Sequence, residues 1–373
     1  MRQSNDARGL MERILGSPRL EAAAIRIFKS AMTMKYHWHD ASEANRVLRG
    51  IEHRLGKTPP RHIRSSNEYA VHVLGHKRFA PWLYVYSAIS GEFREGWIPE
   101  SFYGSAVTPI YMGWYGRLSS LKPLNSVFFS SDAFPDIASF VNGIFFDNAQ
   151  NPIASKEVKN LLFTDQDRVV FKVDISQRGQ GIHFFTRDTF SVDKVMALGN
   201  GLFQRFIRQH ELFNDFAEKS VATLRIVTVV KGDGEISVRA CYLRLGTGDD
   251  SHVQPPSQVR VPINLQSGAF DEKGYFGSWL TTPIHPTSKV RFAGNFVPAF
   301  AVCVAMVTDL HKKVPYARCI GWDVTVDIDE KVRVMEWNAG HPGITFAEAT
   351  QGPCFGGLGW EKLKAGHISL GYI

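Results

Sequence analysis

Two runs rich in Val and Ile, CIGWDVTV and KVRVMEWN, carry Asp323, Glu336 and Asn338 where strand packing by itself would favour apolar side chains. Reading the stretch Cys319 to Gly343 as a hairpin that turns at Asp329–Glu330, with Ile328 facing Lys331, places Asp323 directly opposite Glu336. Asn338 lies two residues further on and so on the same face. Opposed carboxylates repel, and burying either is costly unless a cation or a proton sits between them. Three oxygen-bearing side chains on one face suit Mg²⁺, a hard cation that takes carboxylate, carbonyl and phosphate oxygen. A solvent-facing polar stripe is the plainer alternative, but Ile320, Trp322, Val334, Met335 and Trp337 surround the three with apolar bulk.

A second candidate is FKVDISQRGQGIHFF, Phe171 to Phe185. Lys172 stands on a strand, and a loop with Gly179 and Gly181 leads to the next one. Backbone N–H groups of such a loop and the lysine ammonium can hold phosphate oxygens, although an ordinary hairpin has the same outline. Third, a strand ending at Phe203–Gln204 and followed by Phe206 and Ile207 offers backbone groups and apolar walls to a purine. Arg225, inside the β-branched run SVATLRIVT, needs an anionic neighbour, which a phosphate, a carboxylate or a structural salt bridge would supply. His37 and His39 in YHWHD lie in a stretch that reads helical, where their spacing diverges, so satisfied or surface histidines are expected there. His285 and His341 are secondary candidates near an acceptor. No Ser-His-Asp or Cys-His arrangement stands out.

These residues need a scaffold. From Gly9 to His53 the apolar residues Leu10, Ile14, Leu20, Ala24, Ile27, Val47, Leu48 and Ile51 follow helical spacing, and GKTPPRH ends the segment. GIEHRLGKT imitates a phosphate-binding P-loop, but it has one residue too many between its glycines, and Pro59–Pro60 is expected to forbid the helix that such a loop opens. Residues 68–120, rich in aromatics, are expected to mix short strands and turns. From Pro135 onward strands and helices alternate: ASFVNGIFFD, RVVFKVDI and IHFFT read as strands, ASKEVKNLLF and SVDKVMALGNGLF as helices. SVATLRIVTVVKG and GEISVRACYLRLG read as long strands, and a helix is expected from about Asn295 to Lys312.

The 373 residues, 44% hydrophobic and 21% charged, suggest two or three lobes. No run of eighteen apolar residues is present, and the first thirty lack the apolar core of a signal peptide. The four cysteines, Cys241, Cys303, Cys319 and Cys354, have neither metal spacing nor a disulfide framework, so a reducing cytoplasm is the expected location. Residues 1–80 hold fifteen Lys/Arg against seven Asp/Glu, which leaves the rest near neutral. A solvated helical surface accounts for this as well as an anionic partner (membrane surface, nucleic acid or phosphorylated acceptor) does.

The order of the pieces adds to each of them. A lysine strand with a glycine loop, a hinge about thirty residues on, then TLRIVT, then an Asp…Glu-x-Asn hairpin resembles the ATP-grasp fold, and more specifically the sugar-transfer-associated ATP-grasp family related to α-L-glutamate ligases. REGWIPESFYGSAVTPIYMGWYGRLSSLKPL resembles that family's lead-in to its first nucleotide lysine, SVATLRIVT its Ser-Val-Asn-Thr-Leu-Arg strand, PIHPTSKVRFAGNFVP its His-Pro segment and GWDVTV…VMEWNAGHPG its metal hairpin. The resemblance runs from about Trp97 to Trp360. It implies an α/β (α+β) protein of ATP-grasp fold with nucleotide bound between two lobes. Lys122 and Lys172 would contact phosphates, and Gln177, Arg178, Gly179 and Gly181 would belong to a mobile phosphate loop. Gln204, Arg205, Phe206 and Ile207 would form the adenine hinge, with Gln204 where many such enzymes have glutamate. Arg225, with Lys172, would be catalytic and face the γ-phosphate or acyl phosphate. Asp323, Glu336 and Asn338 would bind one or two Mg²⁺, or Mn²⁺. The loop SQRGQG is poorer in glycine than many of the family's, and Ala222 stands where asparagine is usual.

The implied activity is ATP-dependent carboxylate–amine ligation through an acyl phosphate, joining an amino acid or similar acid to an amino-sugar or small-metabolite amine in polysaccharide or natural-product assembly. Such chemistry needs positioning and charge compensation rather than a protein nucleophile. A phosphotransferase that stops after phosphoryl transfer and a non-catalytic nucleotide-binding scaffold are the alternatives. The expected partners are ATP, a carboxylic acid and an amine; nucleic acid is not expected. The expected organisation is a helical extension at 1–60, an N-terminal lobe and linker at 61–134, a small lobe with phosphate loop and hinge at 135–210, and a C-terminal lobe with the metal site at 211–373.

Overall fold

The computed structural model describes residues 18–175, 181–248, 253 and 257–365. The chain divides into two compact units. Among the described residues one comprises 18–110 and 359–365; the other lies within Tyr111–Leu358.

The first unit is helical. Helix α1 (Pro18–Leu55) buries Ala44, Val47 and Ile51, three and four residues apart on one face. It ends at Gly56, whose φ of 90° is a left-handed conformation that glycine reaches without a Cβ clash. Helix α2 (Pro60–His72) then begins directly on the second proline. Here the expectation from the double proline is corrected: proline is tolerated at the first helical position, where its missing N–H has no intrahelical partner to lose. Helix α3 (Ala80–Ser90) is APWLYVYSAIS, with Trp82, Leu83, Val85 and Tyr86 buried, and the Trp82 Nε1–H donates to Asp40 Oδ1 at 2.8 Å. Strands expected across 68–120 are absent: among the described residues none precedes Asp136. In this stretch burial of aromatic rings between helices overrides their intrinsic preference for strands. His37 is buried and held neutral, its pKa lowered to about 4 chiefly by burial, while His39 is exposed; the pair forms no chelate.

The second unit holds two antiparallel sheets. The six strands of the first, β1 (Asp136–Val141), β2 (Ile144–Asp147), β3 (Pro152–Ile153), β4 (Arg168–Val173), β5 (Ile182–Thr186) and β6 (Gly201–Arg205), lie in the order β3-β2-β1-β6-β4-β5. Asn142 and Gly143, both at positive φ, make the tight β1–β2 turn. Phe171, Phe185 and Phe203 on one face pack with Val158 and Leu162 of helix α4 (Ser155–Leu162) and Val195 of helix α5 (Val192–Leu198). Side chains alternate along a strand, so Lys172 and Gln204 project from the other face.

The second sheet has the order β11-β10-β9-β8-β7-β12-β13, from β7 (Thr223–Val230), β8 (Ile236–Gly246), β9 (Gln258–Pro262), β10 (Gly274–Phe276), β11 (Thr281–Thr282), β12 (Cys319–Val326) and β13 (Val332–Asn338). Leu224, Ile226, Cys241, Leu243, Val259, Val261 and Trp322 share a core with Cys303, Val307 and Leu310 of helix α6 (Phe300–Lys313). Helix α6 starts five residues later than expected, because Pro298 and the left-handed Ala299 (φ 47°) keep the preceding backbone out of the helix. Arg225, Tyr242, Arg244, Arg260, Asp323 and Glu336 occupy alternate positions and project from the opposite face. The four cysteines are free and buried, and among the described residues no helix is long and apolar enough to cross a membrane. The mixed α+β class with a helical N-terminal region agrees with the reading of the sequence.

Candidate active site

Asp323 pairs with Glu336 across β12 and β13, and Gly321 with Asn338, as the hairpin count anticipates. The route differs. The turn is wider than the two residues expected, because Val326 pairs with Val332 and leaves 327–331 between them. Asp327 organises that turn: its Oδ1 accepts the N–H groups of Asp329 and Lys331 at 3.0 and 2.9 Å, and its Oδ2 accepts Arg333 Nε at 2.7 Å. The wider turn shifts the register by one residue, and a bulge beside Asp323 and Val324 shifts it back. Met335 is the extra residue of the bulge, and its carbonyl accepts a hydrogen bond from Lys172 Nζ at 2.9 Å.

Arg225 lies directly opposite Asp323 on β7. Its Nε donates to Asp323 Oδ1 at 2.6 Å and its Nη2 to Oδ2 at 3.1 Å, while Nη1 donates to the Pro342 carbonyl. Arg244 Nη2 approaches Asp323 Oδ2 at 2.7 Å. Burial by itself would raise the Asp323 pKa, but the two guanidiniums outweigh it and hold the carboxyl below its ordinary value. Gly321 makes room for this pair, since a Cβ there would meet Pro342 Cβ at 2.9 Å and Arg225 Cδ at 3.1 Å. Asp323 is thus the shared counter-ion of two arginines. Glu336 makes no hydrogen bond or ion pair among the described residues, yet it is close enough to favour the charged forms of Lys172 and Arg225.

Lys172 and Lys122 stand side by side. Lys122 Nζ donates to the Val173 carbonyl at 3.3 Å, and its backbone N–H donates to Asp174 Oδ1 at 3.2 Å. Burial lowers the Lys172 pKa; Glu336 and Asp136 oppose that shift and Lys122 adds to it. Lys172 from the first sheet, Arg225, Asp323 and Glu336 from the second, and Lys122 from the short turn Lys122–Leu124 are therefore brought together. Gln177, Arg178 and Gly179 lie outside the described residues. Gly181, at the far end of that loop, accepts the Val173 N–H at 2.8 Å. Asn338 Nδ2 donates to the Gly321 carbonyl at 3.4 Å.

Gln204 ends the buried part of β6, with Nε2 donating to Asp136 Oδ1 at 2.7 Å. Trp337, a donor only, gives its indole N–H to Asn125 Oδ1 at 3.0 Å, and Asn125 adjoins the Asp136 carboxyl in turn. Phe206 sits with Phe184 around the Arg168 guanidinium, at 4.7 and 4.2 Å. Phe206 and Ile207 line a cavity of about 180 Å³ with Arg208, Gln209, Asn214 and Ile328; Arg205 is exposed. His285 is structural: Nε2 bonds to the Gly246 carbonyl at 3.0 Å and Nδ1 accepts the Ser288 N–H at 3.3 Å. His341 Nδ1 accepts the Gly343 N–H at 3.4 Å, one residue past the Pro342 carbonyl that holds Arg225.

Asp136, Arg244 and Arg260 were missed in the sequence. The apolar strand around Arg244 bears the same signal that drew attention to Arg225. Asp136, at a strand start behind a proline, carries none. Burial pushes the Asp136 pKa up to about 6 against the Gln204 hydrogen bond, the neighbouring Asn125 amide and the charge of Lys172. The folded chain therefore keeps a proton that the unfolded chain releases, so stability present below pH 4 is lost as pH rises through 6. Holding that proton in the fold is worth about 3 kcal/mol. Asp136→Asn is expected to gain about that much on wild type between pH 4 and pH 7 in urea titrations; parallel pH profiles would contradict it.

Residues 194–357, from helix α5 through β13 and beyond, match the family described as sugar-transfer associated ATP-grasp. This is the family that the ordered motifs resemble. No curated protein matches the chain. Among solved structures it is similar to the ATP-grasp ligase PsnB complexed with minimal precursor (12% identity, TM-score 0.36, 62% of this chain and 55% of that one). It is also similar to N5-carboxyaminoimidazole ribonucleotide synthetase from Thermotoga maritima (10%, 0.39, 69% and 54%) and to D-alanyl-alanine synthetase A from Vibrio cholerae O1 biovar eltor (9%, 0.36, 60% and 56%). The chain spans a little over half the length of these structures.

Proposed function

We propose that the chain is an ATP-dependent carboxylate–amine ligase whose site lies between the two sheets, the small lobe being 135–210 and the larger 211–373. The observation that carries this reading is the meeting of Lys172 with the Met335 carbonyl, which sets Lys172, with Lys122 beside it, against the unpaired carboxylate of Glu336. The family match over 194–357 supports it.

In this reading Lys122 and Lys172 offset the charge of the nucleotide phosphates. Gln204 through Ile207 border the base, with the cavity beside Phe206 and Ile207 next to it. Gln204 offers Oε1 to the base, because its Nε2 is committed to Asp136. Arg225, pinned by Asp323 and Pro342, turns its remaining N–H groups toward the group being transferred. The donor set fits Mg²⁺, or Mn²⁺: Glu336 and Asn338 supply hard oxygen atoms, and Asp323 Oδ1 keeps a lone pair beyond its bond to Arg225. When bound, the ion supplies positive charge to phosphate oxygens. The acid's carboxylate oxygen attacks the γ-phosphorus as the bond to ADP breaks; the amine then attacks the acyl carbon and phosphate leaves. The acid is an amino acid or similar compound and the amine an amino-sugar or small metabolite, in polysaccharide or natural-product assembly in the cytoplasm.

The test is ADP release measured with acids and amines singly and together, with mass detection of an amide. Release that needs both supports the ligase. Release with one substrate and a stable phosphorylated product would make the protein a phosphotransferase, and nucleotide binding without turnover a scaffold. Lys172→Ala is expected to weaken ATP binding at least about tenfold, the worth of one charge-assisted contact. Unchanged affinity by calorimetry would remove the lysine from the phosphates.

A further inference from the structure

The face of the second sheet that carries Asp323 also carries more positive charge than its carboxylates balance. Arg225 and Arg244 share Asp323. Arg260, on the next strand, lies directly opposite Arg244 in the β8–β9 register. Like charges so placed repel unless an anion joins them. Among the described residues no carboxylate pairs with Arg260; its Nη2 donates to the Phe276 carbonyl at a long 3.4 Å. Its guanidinium lies over Phe346 at 4.3 Å and Trp279 at 4.8 Å. Those rings hold the side chain in place, but they accept no in-plane N–H bond. The Nε groups of both Arg244 and Arg260 are buried without an acceptor. Two forks of N–H donors, opposed across neighbouring strands and partly unsatisfied, match the planar oxygen pair of a carboxylate.

We infer that Arg244 and Arg260 form a carboxylate-binding subsite for the acid substrate, with Tyr275, Trp279 and Phe346 as its apolar wall. Its assignment to the substrate rests on the ligase reading; the anion site itself does not. At the usual strand spacing Arg260 stands about 14 Å across the sheet from the strand of Asp323, and about 19 Å from that of Glu336. That is on the side away from Lys172, so the subsite faces the acid rather than the nucleotide phosphates. Burial also lowers the Arg260 pKa, to about 10, with Tyr242 opposing and Arg244 adding.

Thermal unfolding of the full chain in sodium succinate or acetate, against chloride at matched ionic strength, tests the subsite. Wild type is expected to gain a saturable rise in Tm with carboxylate, and Arg260→Met a response at least about threefold smaller. Without carboxylate the variant is expected to melt at or above wild type, because an uncompensated buried cation is gone. A carboxylate response equal in both proteins, or none in wild type, would overturn the subsite. If the methionine variant does not fold, Arg260→Lys keeps the charge and loses the fork, and its carboxylate response is expected to fall in the same way; an undiminished response would overturn the subsite. ADP affinity by calorimetry separates the sources of negative charge: it is expected to be unchanged in Arg260→Met, and a tenfold loss would assign Arg260 to the phosphates instead. A wild type that binds no nucleotide would end the ligase reading, while the carboxylate response would still decide the subsite.

Discussion

Asp323→Ala is expected to cost about 3–5 kcal/mol of stability, the usual effect of leaving a buried charge without its partner. Arg225 is 8% exposed and Asp323 5%, so water cannot replace the lost carboxylate. The cost should be high in this protein because two guanidiniums depend on the same group, Arg225 through two bonds and Arg244 through one. Urea unfolding of Asp323→Ala, Arg225→Met and the double variant measures it. The double variant should be less destabilised than the two single effects added together, since removing both partners leaves less uncompensated charge. Additive losses would mean that the pair is not coupled, and a loss below about 1 kcal/mol would place Asp323 in the class of solvent-screened pairs.

Glu336→Gln should behave in the opposite way. Its carboxylate is half-buried and makes no hydrogen bond or ion pair among the described residues, so the fold should lose little. Turnover should fall by about 10²–10³, the scale on which one electrostatic contact to a transferring group acts. The variant keeps the shape and an oxygen donor but removes the negative charge that faces Lys172. Rates measured across a magnesium titration, beside thermal melts, separate the two effects. Wild-type turnover would take Glu336 out of the site, and a melt lowered by many degrees would make it structural. Directly opposed in one hairpin, Asp323 and Glu336 are thus expected to divide the work, the first holding arginines with one lone pair of Oδ1 to spare and the second wholly open for a ligand.

Local periodicity made much of the second unit readable. The alternation in VATLRIVTVV and CIGWDVTV places Leu224, Ile226 and Trp322 in the core and Arg225 and Asp323 on the opposite face. The opposition of Asp323 to Glu336 was readable too, although two departures from the simple hairpin had to cancel. The turn is wider than the sequence suggested, and the bulge at Met335 makes up the difference. The aromatic stretch 68–120 misled because its rings serve helix packing, and a local preference for strands is weak against burial.

What the sequence determined alone was most of the longer strands and helices from Pro135 onward, the polar face of β7 and of the β12–β13 hairpin, and the family that the ordered motifs resemble. These follow from side-chain period and from residue types a few positions apart. SVDKVMALGNGLF, expected as one helix, instead leaves its helix at Leu198 and enters β6 at Gly201, where Gly199 and Gly201 break the helical run. Only the tertiary structure decided what those polar residues meet. Arg244 reaches Asp323 and Arg260 faces Arg244 because β8 lies between β7 and β9; Lys172 meets Met335 because a bulge frees that carbonyl. Such partners lie up to 163 residues apart in the chain, and no local pattern specifies a contact made by the packing of one sheet against another.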